Sequence, residues 1–328
     1  MMTGKSIAMV AAAAAVGVGV AGFVAFRNGG GGAAATPNPA VITADRAAPT
    51  RPGEAAGAPA ARATPVADAA PAAGGAKLAD YTESIKEFLV SFDMVAVPGG
   101  KLVTATGSPD GKPRTVDVKP FYMGKREVTW DEYDVFCLKK DLTPEQITAK
   151  FDDENRPSPI YAQNNPDCGF GHAGYPAISI SQKSAIKYCE WLSKRTGRKY
   201  RLATEAEWEF ACSGGDATAE PPKGAELQKV AWFDANSEEA THPVGKKAAN
   251  VLGLHDMLGN AAEWVIAEDG KRVVKGGAFN DRPSTGRLSA GARYVYVVAW
   301  QARDPQLPKS SWWYSDSPHG GFRIVCEP

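Results

Sequence analysis

The chain has 328 residues, of which 44% are hydrophobic, and this is enough for a sizeable buried core. It carries 37 basic and 37 acidic residues. That balance argues against a nucleic-acid partner and against polybasic attachment to anionic lipid. Any partner must therefore be recognised by a local site rather than by net charge.

The N-terminus contains an uncharged apolar run over residues 7–26, with Lys5 before it and Arg27 after it. A run of about twenty apolar residues is just long enough to span a bilayer. We therefore predict a transmembrane anchor over residues 1–27. A cleaved signal peptide is the alternative, with a weak cleavage site at residues 20–22. Either interpretation places the rest of the chain on the periplasmic or another extracytoplasmic face.

The next segment, residues 28–80, contains no aromatic residue and is dominated by Ala, Pro, Gly and Thr. Such a composition buries too little apolar surface to offset the entropy lost on ordering. We predict a disordered, flexible linker here. The composition changes at Tyr81, so residues 81–328 are expected to form the folded domain.

Two helices of this domain are marked by their ends. Thr129 and Glu132 have the spacing of a capping box, which predicts that a helix begins there. Ser181 is a suitable N-cap, and Gly197 supplies a left-handed stop for the helix between them.

A third capping box, Thr204 with Glu207, predicts another helix. Beyond Gly215 the chain is rich in loops, and short apolar runs suggest strands. These runs cover residues 230–233, 272–275, 294–298 and 322–325. Helices early and short strands late indicate an α+β domain with much irregular structure.

Five cysteines lie in the predicted domain, and none forms a close metal-type pair such as Cys-x-x-Cys. An exported location permits disulfides, and an odd number leaves at least one thiol free. The five are Cys137, Cys168, Cys189, Cys212 and Cys326.

Four motifs together suggest a family. They are Arg-Leu-Ala-Thr-Glu-Ala-Glu-Trp-Glu-Phe at 201–210, Asn-Val-Leu-Gly-Leu-His-Asp-Met-Leu-Gly-Asn-Ala-Ala-Glu-Trp at 250–264, Val-Lys-Gly-Gly-Ala-Phe at 274–279 and Gly-Gly-Phe-Arg-Ile-Val at 320–325. In order and approximate spacing, the chain resembles the formylglycine-generating enzyme (sulfatase-modifying factor) family over about residues 92–326. The resemblance implies that family's C-type-lectin-like fold.

The family's oxidases bind copper through two cysteines that follow the Gly-Gly-aromatic turn. In this chain the two matching positions hold Asp281 and Gly286. A carboxylate is a poor Cu(I) ligand, and glycine has no side chain to offer. We therefore expect no copper and no formylglycine-type oxidation.

The resemblance also implies one calcium site, because the motif over residues 250–264 is intact. Its ligands would be the side chain of Asn250 and the carbonyl oxygens of Val251, Gly253 and His255, and oxygen donors suit calcium. The alternative is that Asn250 only holds a turn. A structural disulfide is implied as well, between Cys189 and a cysteine that is two residues later here, Cys326. A two-residue shift along a strand keeps the same face.

In the family, the C-terminal face carries the substrate groove. Adjacent Trp312 and Trp313 would point to opposite faces of an extended segment, so one of them can line a cleft. Six residues are candidates for ligand contact: Asp281, Arg282, Arg287, Arg293, Trp312 and Trp313.

These observations predict a module tethered to the membrane by its N-terminal helix and lacking oxidase activity. It would serve as a binding or maturation accessory for an envelope protein, peptide or glycan. The main alternative is a divergent formylglycine-type oxidase, or another oxidative maturation enzyme that recruits metal differently. A purely structural envelope component is the third possibility.

Overall fold

The computed structural model describes residues 78–104, 106, 111–148, 156, 166–216 and 219–328. The expected anchor and all but the end of the expected linker lie outside these residues. Within them, no helix has the length and apolar character needed to cross a membrane.

The described residues contain short strands and helices in mixed order. The strands are β1 Tyr81–Ile85, β2 Val90–Val97, β3 Gly100–Thr104, β4 Arg114–Val118, β5 Phe121–Gly124, β6 Tyr200–Leu202, β7 Ala262–Ile266, β8 Arg272–Lys275, β9 Tyr294–Val295, β10 Gly320–Gly321 and β11 Ile324–Cys326. The helices are α1 Trp130–Cys137, α2 Pro144–Thr148, α3 Gln182–Thr196, α4 Glu205–Cys212 and α5 Gly224–Val230. The predicted α+β class is confirmed.

Two sheets and a hairpin organise these strands. The larger sheet is antiparallel, in the order β1-β2-β5-β11-β6, and the smaller has the order β10-β7-β8-β9. Within the smaller sheet β10 runs parallel to β7, whereas β8 is antiparallel to both of its neighbours. Strands β3 and β4 form the separate hairpin. The C-terminal segment therefore contributes to both sheets, through β10 and then β11.

The three predicted helix starts are confirmed by their caps. Thr129 and Thr204 each begin a helix with a complete capping box. The threonine side chain accepts from the backbone N–H of the third helical residue, and the glutamate side chain of that residue accepts from the backbone N–H of the threonine. Ser181 caps α3, and Gly197 ends it in the left-handed conformation with φ of 76°. Local side-chain chemistry thus fixes where these helices lie.

Two of the strands expected from the sequence differ from the observed secondary structure. Of the run at 230–233 only Val230 belongs to α5, which it ends; the rest lies beyond the helix, with a single bridge between Trp232 and Gly259. The run at 294–298 pairs with β8 only at Tyr294 and Val295. A short apolar run fits a helix end as well as a strand, and here its neighbours decided which it became.

The core fills both faces of the larger sheet. Along β2, Met94 faces a cluster that includes side chains of α1 and α3, whereas Val95 and Val97 face a second cluster that includes Trp208 and Phe210 of α4. Successive side chains of a strand point to opposite faces, so one strand serves both clusters.

A buried ion pair joins the two sheets and α4. Arg323, between β10 and β11, contacts the carboxylate of Glu263 in β7 at 2.8 Å, and each side chain is 1% exposed. Trp208 Nε1 donates to the same carboxylate at 2.7 Å. Arg323 also donates to the carbonyl oxygens of Gly124 and His255. Both charges are thus hydrogen-bonded on several sides, which a buried pair requires.

We predict that Arg323→Met lowers the free energy of unfolding by about 3 to 5 kcal/mol, because it leaves the Glu263 carboxylate buried without its counter-charge. Urea denaturation of the full-length chain measures this change.

The matched control is Lys101→Met, because Lys101 pairs with Asp117 at 3.2 Å while both side chains are at least 75% exposed. That substitution should cost less than about 1 kcal/mol. Equal losses in the two variants would contradict the assigned role of Arg323.

Candidate functional site

The site is organised by the glycine turn that follows β8. Gly276 and Gly277 have φ of +89° and +70°. A methyl group on Gly276 would lie 2.8 Å from the carbonyl oxygen of Met257. Glycine is therefore required here for both backbone conformation and space. The turn delivers Ala278 and Phe279, both buried, to the start of the segment that matches the copper-binding region of the family.

Asp281, which the resemblance places at the first thiolate position, is a structural anchor with 6% exposure. One carboxylate oxygen accepts the N–H of Ala278 at 2.9 Å, and the other accepts Arg287 Nη1 at 2.9 Å. Gly286, at the second position, ends a short 3-10 turn with φ of +71°. The two positions thus hold an engaged carboxylate and a glycine in the left-handed conformation.

The Arg287 guanidinium continues from this ion pair onto an aromatic surface. It lies 3.8 Å from the ring centroid of Tyr294, a favourable cation–π distance. Tyr294 stacks on His319 with centroids 5.8 Å apart, and Trp300 meets both rings edge-on. We call Asp281, Arg287, Tyr294, Trp300 and His319 the Asp281 site.

The Asp281 site offers hydrogen-bond donors without net charge. The Arg287 side chain is 38% exposed, so it can reach a ligand, while its charge is balanced by Asp281. Burial lowers the pKa of His319 to about 4, so its imidazole is neutral near pH 7. Guanidinium N–H groups beside aromatic faces suit a neutral polar ligand, such as a peptide carbonyl or a sugar hydroxyl.

The loop before α3 closes one side of this surface. Phe170 packs edge-on against Phe279 of the glycine turn, with centroids 5.1 Å apart. Two residues earlier, Cys168 is an exposed free thiol, 3.9 Å from the hydroxyl of Ser179. The structure thus places an accessible thiol close to the residue that covers the turn.

The other predicted groove residues are dispersed. Arg282 is 72% exposed and contacts Asp234 at 3.2 Å. Arg293 points to a different neighbourhood, where it binds Glu205 at 2.7 Å and Asp269 at 3.0 Å. Only Asp281 and Arg287 of the six candidates meet directly.

The two tryptophans separate as their alternation predicts. Trp312 lies under the ammonium group of Lys183, 4.2 Å from the ring centroid. Trp313 packs against the core cluster around α1 and α3 and forms an isolated bridge with Ile180. Neither belongs to the Asp281 site.

The six sequence candidates left Tyr294, Trp300 and His319 out of the site. The signal for Tyr294 was its alternation with Tyr296, which puts both rings on one face of a strand. His319 carried no comparable signal, because its position depends on the path of the loop before β10.

The loop expected to bind calcium does not fit the ion as it is folded. The oxygen of Asn250 accepts the N–H groups of Leu252 and Leu254 at 3.0 and 3.2 Å. Its amide nitrogen donates to the carbonyl oxygen of Ala211 at 2.8 Å. The carbonyl oxygen of His255 accepts from Arg323. Two of the four expected ligands, the Asn250 side chain and the His255 carbonyl oxygen, therefore already accept hydrogen bonds. The Asn250 side chain instead links its own turn to the end of α4 through a hydrogen bond.

The residue after His255, Asp256, carries a buried carboxylate. Asp256 is 2% exposed; one carboxylate oxygen accepts the N–H of Gly245 at 2.6 Å, and the other has no hydrogen-bond partner. Burial, together with the charges of Asp256 and Glu263, raises the pKa of buried Glu127. Glu127 accepts from Asn260 and Ala261, and Glu263 accepts from Trp208 and Arg323, so both of these carboxylates are engaged by donors. The described residues contain no group of three or more His, Cys, Asp or Glu side chains that could hold a metal ion. Calcium prefers oxygen donors; it stays a proposal, and the unpartnered oxygen of Asp256 is the place where we test it.

We predict that calcium raises the melting midpoint of the full-length chain and that Asp256→Asn removes the increase. Binding to the folded state alone contributes about 2.7 kcal/mol at a hundredfold excess over the dissociation constant. Thermal unfolding in calcium and in chelator measures the difference.

Asn250→Ala is the control, because it should lower the midpoint equally in calcium and in chelator. A calcium increase that survives in Asp256→Asn and disappears in Asn250→Ala would return the site to the Asn250 loop.

The cysteines are all free thiols in the structure, which therefore does not contain the expected disulfide. Cys189 and Cys326 are both buried in the cluster around α1 and α3, so the two-residue shift did keep the expected face. The Cys326 thiol donates to the carbonyl oxygen of Glu327 at 3.3 Å. The pairing stays a prediction.

Residues 83–327 match the family described as sulfatase-modifying factor enzyme 1-like domain. The chain belongs to this family. The formylglycine-generating enzyme of Bos taurus is 26% identical over 298 residues, covering 71% of this chain and 74% of that protein. The chaperone protein LppX of Paenibacillus barcinonensis is 27% identical over 240 residues, covering 62% and 85%. The inactive C-alpha-formylglycine-generating enzyme 2 of Bos taurus is also 27% identical over 240 residues, covering 58% and 77%.

Solved structures share the fold. Treponema denticola variable protein 1 has a TM-score of 0.54 at 22% identity, covering 76% of this chain and 99% of that chain. PvdO from Pseudomonas aeruginosa has a TM-score of 0.52 at 24% identity, covering 76% and 98%. The α+β architecture is thus that of the formylglycine-generating enzyme family.

We predict that stability falls between about pH 6.5 and pH 4 because of His319. Its folded pKa of about 4 lies below the ordinary value of 6.5, so the unfolded chain takes up the proton first as pH decreases. His319→Phe keeps a ring in place but cannot titrate. Between pH 6.5 and 4.5 the parent should lose at most about 2 kcal/mol more than this variant in urea denaturation. Equal losses would contradict the buried neutral imidazole.

Proposed function

We propose that this chain is an exported, membrane-tethered module of the family that binds a protein, peptide or glycan and does not oxidise cysteine. Tethering rests on the apolar run at residues 7–26, and binding rests on the Asp281 site. Its partner would be another component of the envelope, either as ligand or as a protein undergoing maturation.

The ion pair between Asp281 and Arg287 carries the proposal. Copper-dependent oxidation in this family uses soft thiolate ligands at the two positions that here hold Asp281 and Gly286. The Asp281 carboxylate is already held by one guanidinium and one backbone N–H. It therefore stabilises the turn, and the turn presents Arg287 on an aromatic surface.

The relatives also support an accessory role without oxidase activity. The family includes a protein named as an inactive formylglycine-generating enzyme and another named as a chaperone, each 27% identical to this chain. An accessory role in maturation is therefore compatible with the family fold.

The Asp281 site matches such a role because its charge is balanced. A peptide backbone or a sugar offers carbonyl and hydroxyl groups, which can accept from the exposed N–H groups of Arg287. Tyr294 beside it is partly exposed and adds an aromatic contact. Adaptable polar contacts beside rigid rings are common in binding surfaces.

One observation favours the alternative of an oxidative maturation enzyme. Cys168 is an exposed thiol two residues from Phe170, which contacts the glycine turn. A single thiol offers one soft ligand rather than the cysteine pair that the resemblance implies for copper binding.

The test combines the full-length chain with copper, a reductant, oxygen and a peptide bearing the Cys-x-Pro-x-Arg motif, followed by mass spectrometry. We expect no conversion to the aldehyde. Conversion that is lost in Cys168→Ser would overturn the proposal in favour of a relocated oxidase site.

The matched variant carries Asp281→Cys and Gly286→Cys together. We expect it to bind Cu(I), measured by competition with a chromogenic chelator, while the parent does not. Because Gly286 has positive φ, the second substitution adds strain; comparison with Gly286→Ala separates strain from metal binding. Equal copper affinity in the parent and the double variant would contradict the proposal.

A further inference from the structure

A cavity of about 410 Å³ lies between the N-terminus of α3 and the loop over residues 301–314. It is separate from the Asp281 site, and no acidic residue lines it. Four basic residues do: Lys183, Lys187, Arg272 and Lys309. In a chain with equal numbers of acidic and basic residues, this is a local excess of positive charge.

Three of these cations have only neutral partners among the described residues. Lys183 donates to the hydroxyl of Ser311 at 3.2 Å, and Arg272 donates to the hydroxyl of Tyr314 at 2.8 Å. Lys309 donates to backbone carbonyl oxygens of its own loop. Only Lys187 has a carboxylate, that of Glu190 at 2.7 Å. Elsewhere in the described domain many arginines are paired with carboxylates, so the charge here is available to a ligand.

The Arg272 guanidinium is also held in place. It lies 3.7 Å from the ring centroid of Tyr296, and the hydroxyl of Tyr296 is fixed by Gln301 at 2.7 Å. One N–H is used on Tyr314, which leaves further donors of the planar group for a bidentate carboxylate. A guanidinium positioned in advance loses less conformational entropy when it binds an anion.

The strand next to the cavity has an open edge. β9 is the last strand of its sheet. Tyr296 N–H donates to the carbonyl oxygen of Arg272 at 2.8 Å, and Val295 lies opposite Val273. In an antiparallel pair these positions alternate, so Val295 directs its own N–H and C=O away from β8. Val297 beyond it is 45% exposed.

We propose that this region binds an extended acidic peptide, which pairs with the edge of β9 and places a carboxylate in the cavity beside Arg272. An open strand edge recognises an extended backbone through main-chain hydrogen bonds. The cavity begins at Tyr296, the residue after Val295, so backbone pairing and carboxylate binding are adjacent. Charge complementarity selects acidic side chains. This proposal uses no residue of the Asp281–Gly286 segment and does not depend on whether the domain oxidises cysteine.

The test is fluorescence polarisation of the full-length chain with a labelled heptapeptide of alternating valine and glutamate. The same peptide with glutamine in place of glutamate is the ligand control. We expect the glutamate peptide to bind at least about tenfold more tightly, and Arg272→Gln and Lys309→Gln each to weaken it by about tenfold. The glutamine peptide should not respond to these two variants.

Arg303→Gln is the matched protein control, because Arg303 lies on the same loop but is 79% exposed, pairs with Asp316 and does not line the cavity. Val295→Pro removes the outward N–H, which an edge strand tolerates, and should weaken both peptides. Melting midpoints of all variants verify folding.

Two results would overturn the proposal. The first is that a variant carrying both Arg272→Gln and Lys309→Gln binds the glutamate peptide with unchanged affinity. The second is binding that Val295→Pro leaves intact and that a sulfated disaccharide displaces; this result would mean that the cavity takes a glycan-borne anion instead of a peptide strand.

Discussion

The buried pair of Arg323 and Glu263 is the interaction on which the two-sheet arrangement depends. Arg323 lies two residues after the end of β10 in the smaller sheet and directly before β11 of the larger. Glu263 lies in β7 and accepts a hydrogen bond from Trp208 of α4. Three separate elements therefore meet at one carboxylate. Two charges removed from water are tolerated only when their geometry is satisfied on all sides. This requirement fixes the relative position of the sheets and, with it, the position of the glycine turn after β8.

The glycine turn after β8 then determines which side chains the site presents. Its glycines bring Asp281 beneath the surface and Arg287 onto it, and the two form an ion pair at the position where the resemblance places a copper-binding thiolate. The pair joining the sheets involves neither residue, so the scaffold does not depend on what stands at these positions. A fold that is stabilised away from its reactive segment can keep its shape while the reactive groups change.

Two arginine-on-tyrosine contacts lie along the same strand but differ in charge. Arg287 stacks on Tyr294 and is neutralised by Asp281, whereas Arg272 stacks on Tyr296 without a described carboxylate partner. Trp300 packs edge-on against both tyrosines. One surface therefore suits neutral polar groups and the other suits anions, which allows neighbouring parts of one extended ligand to be recognised separately.

The sequence by itself determined the helix starts and the α+β class, and it predicted the replacement of the copper ligands. A capping box, as at Thr129, is local chemistry, and a missing thiolate is visible without a structure. Tertiary structure alone decided that Arg293 pairs with Glu205, that the oxygen of Asn250 is engaged by backbone N–H groups, and that Asp256 keeps an unpartnered oxygen. It also ended β9 at Val295, and it ended α5 at Val230 so that the rest of the run at 230–233 forms no strand. The physical reason is that burial, counter-ions and strand partners come from residues distant in the chain, and spacing along the chain carries no record of which of them will meet.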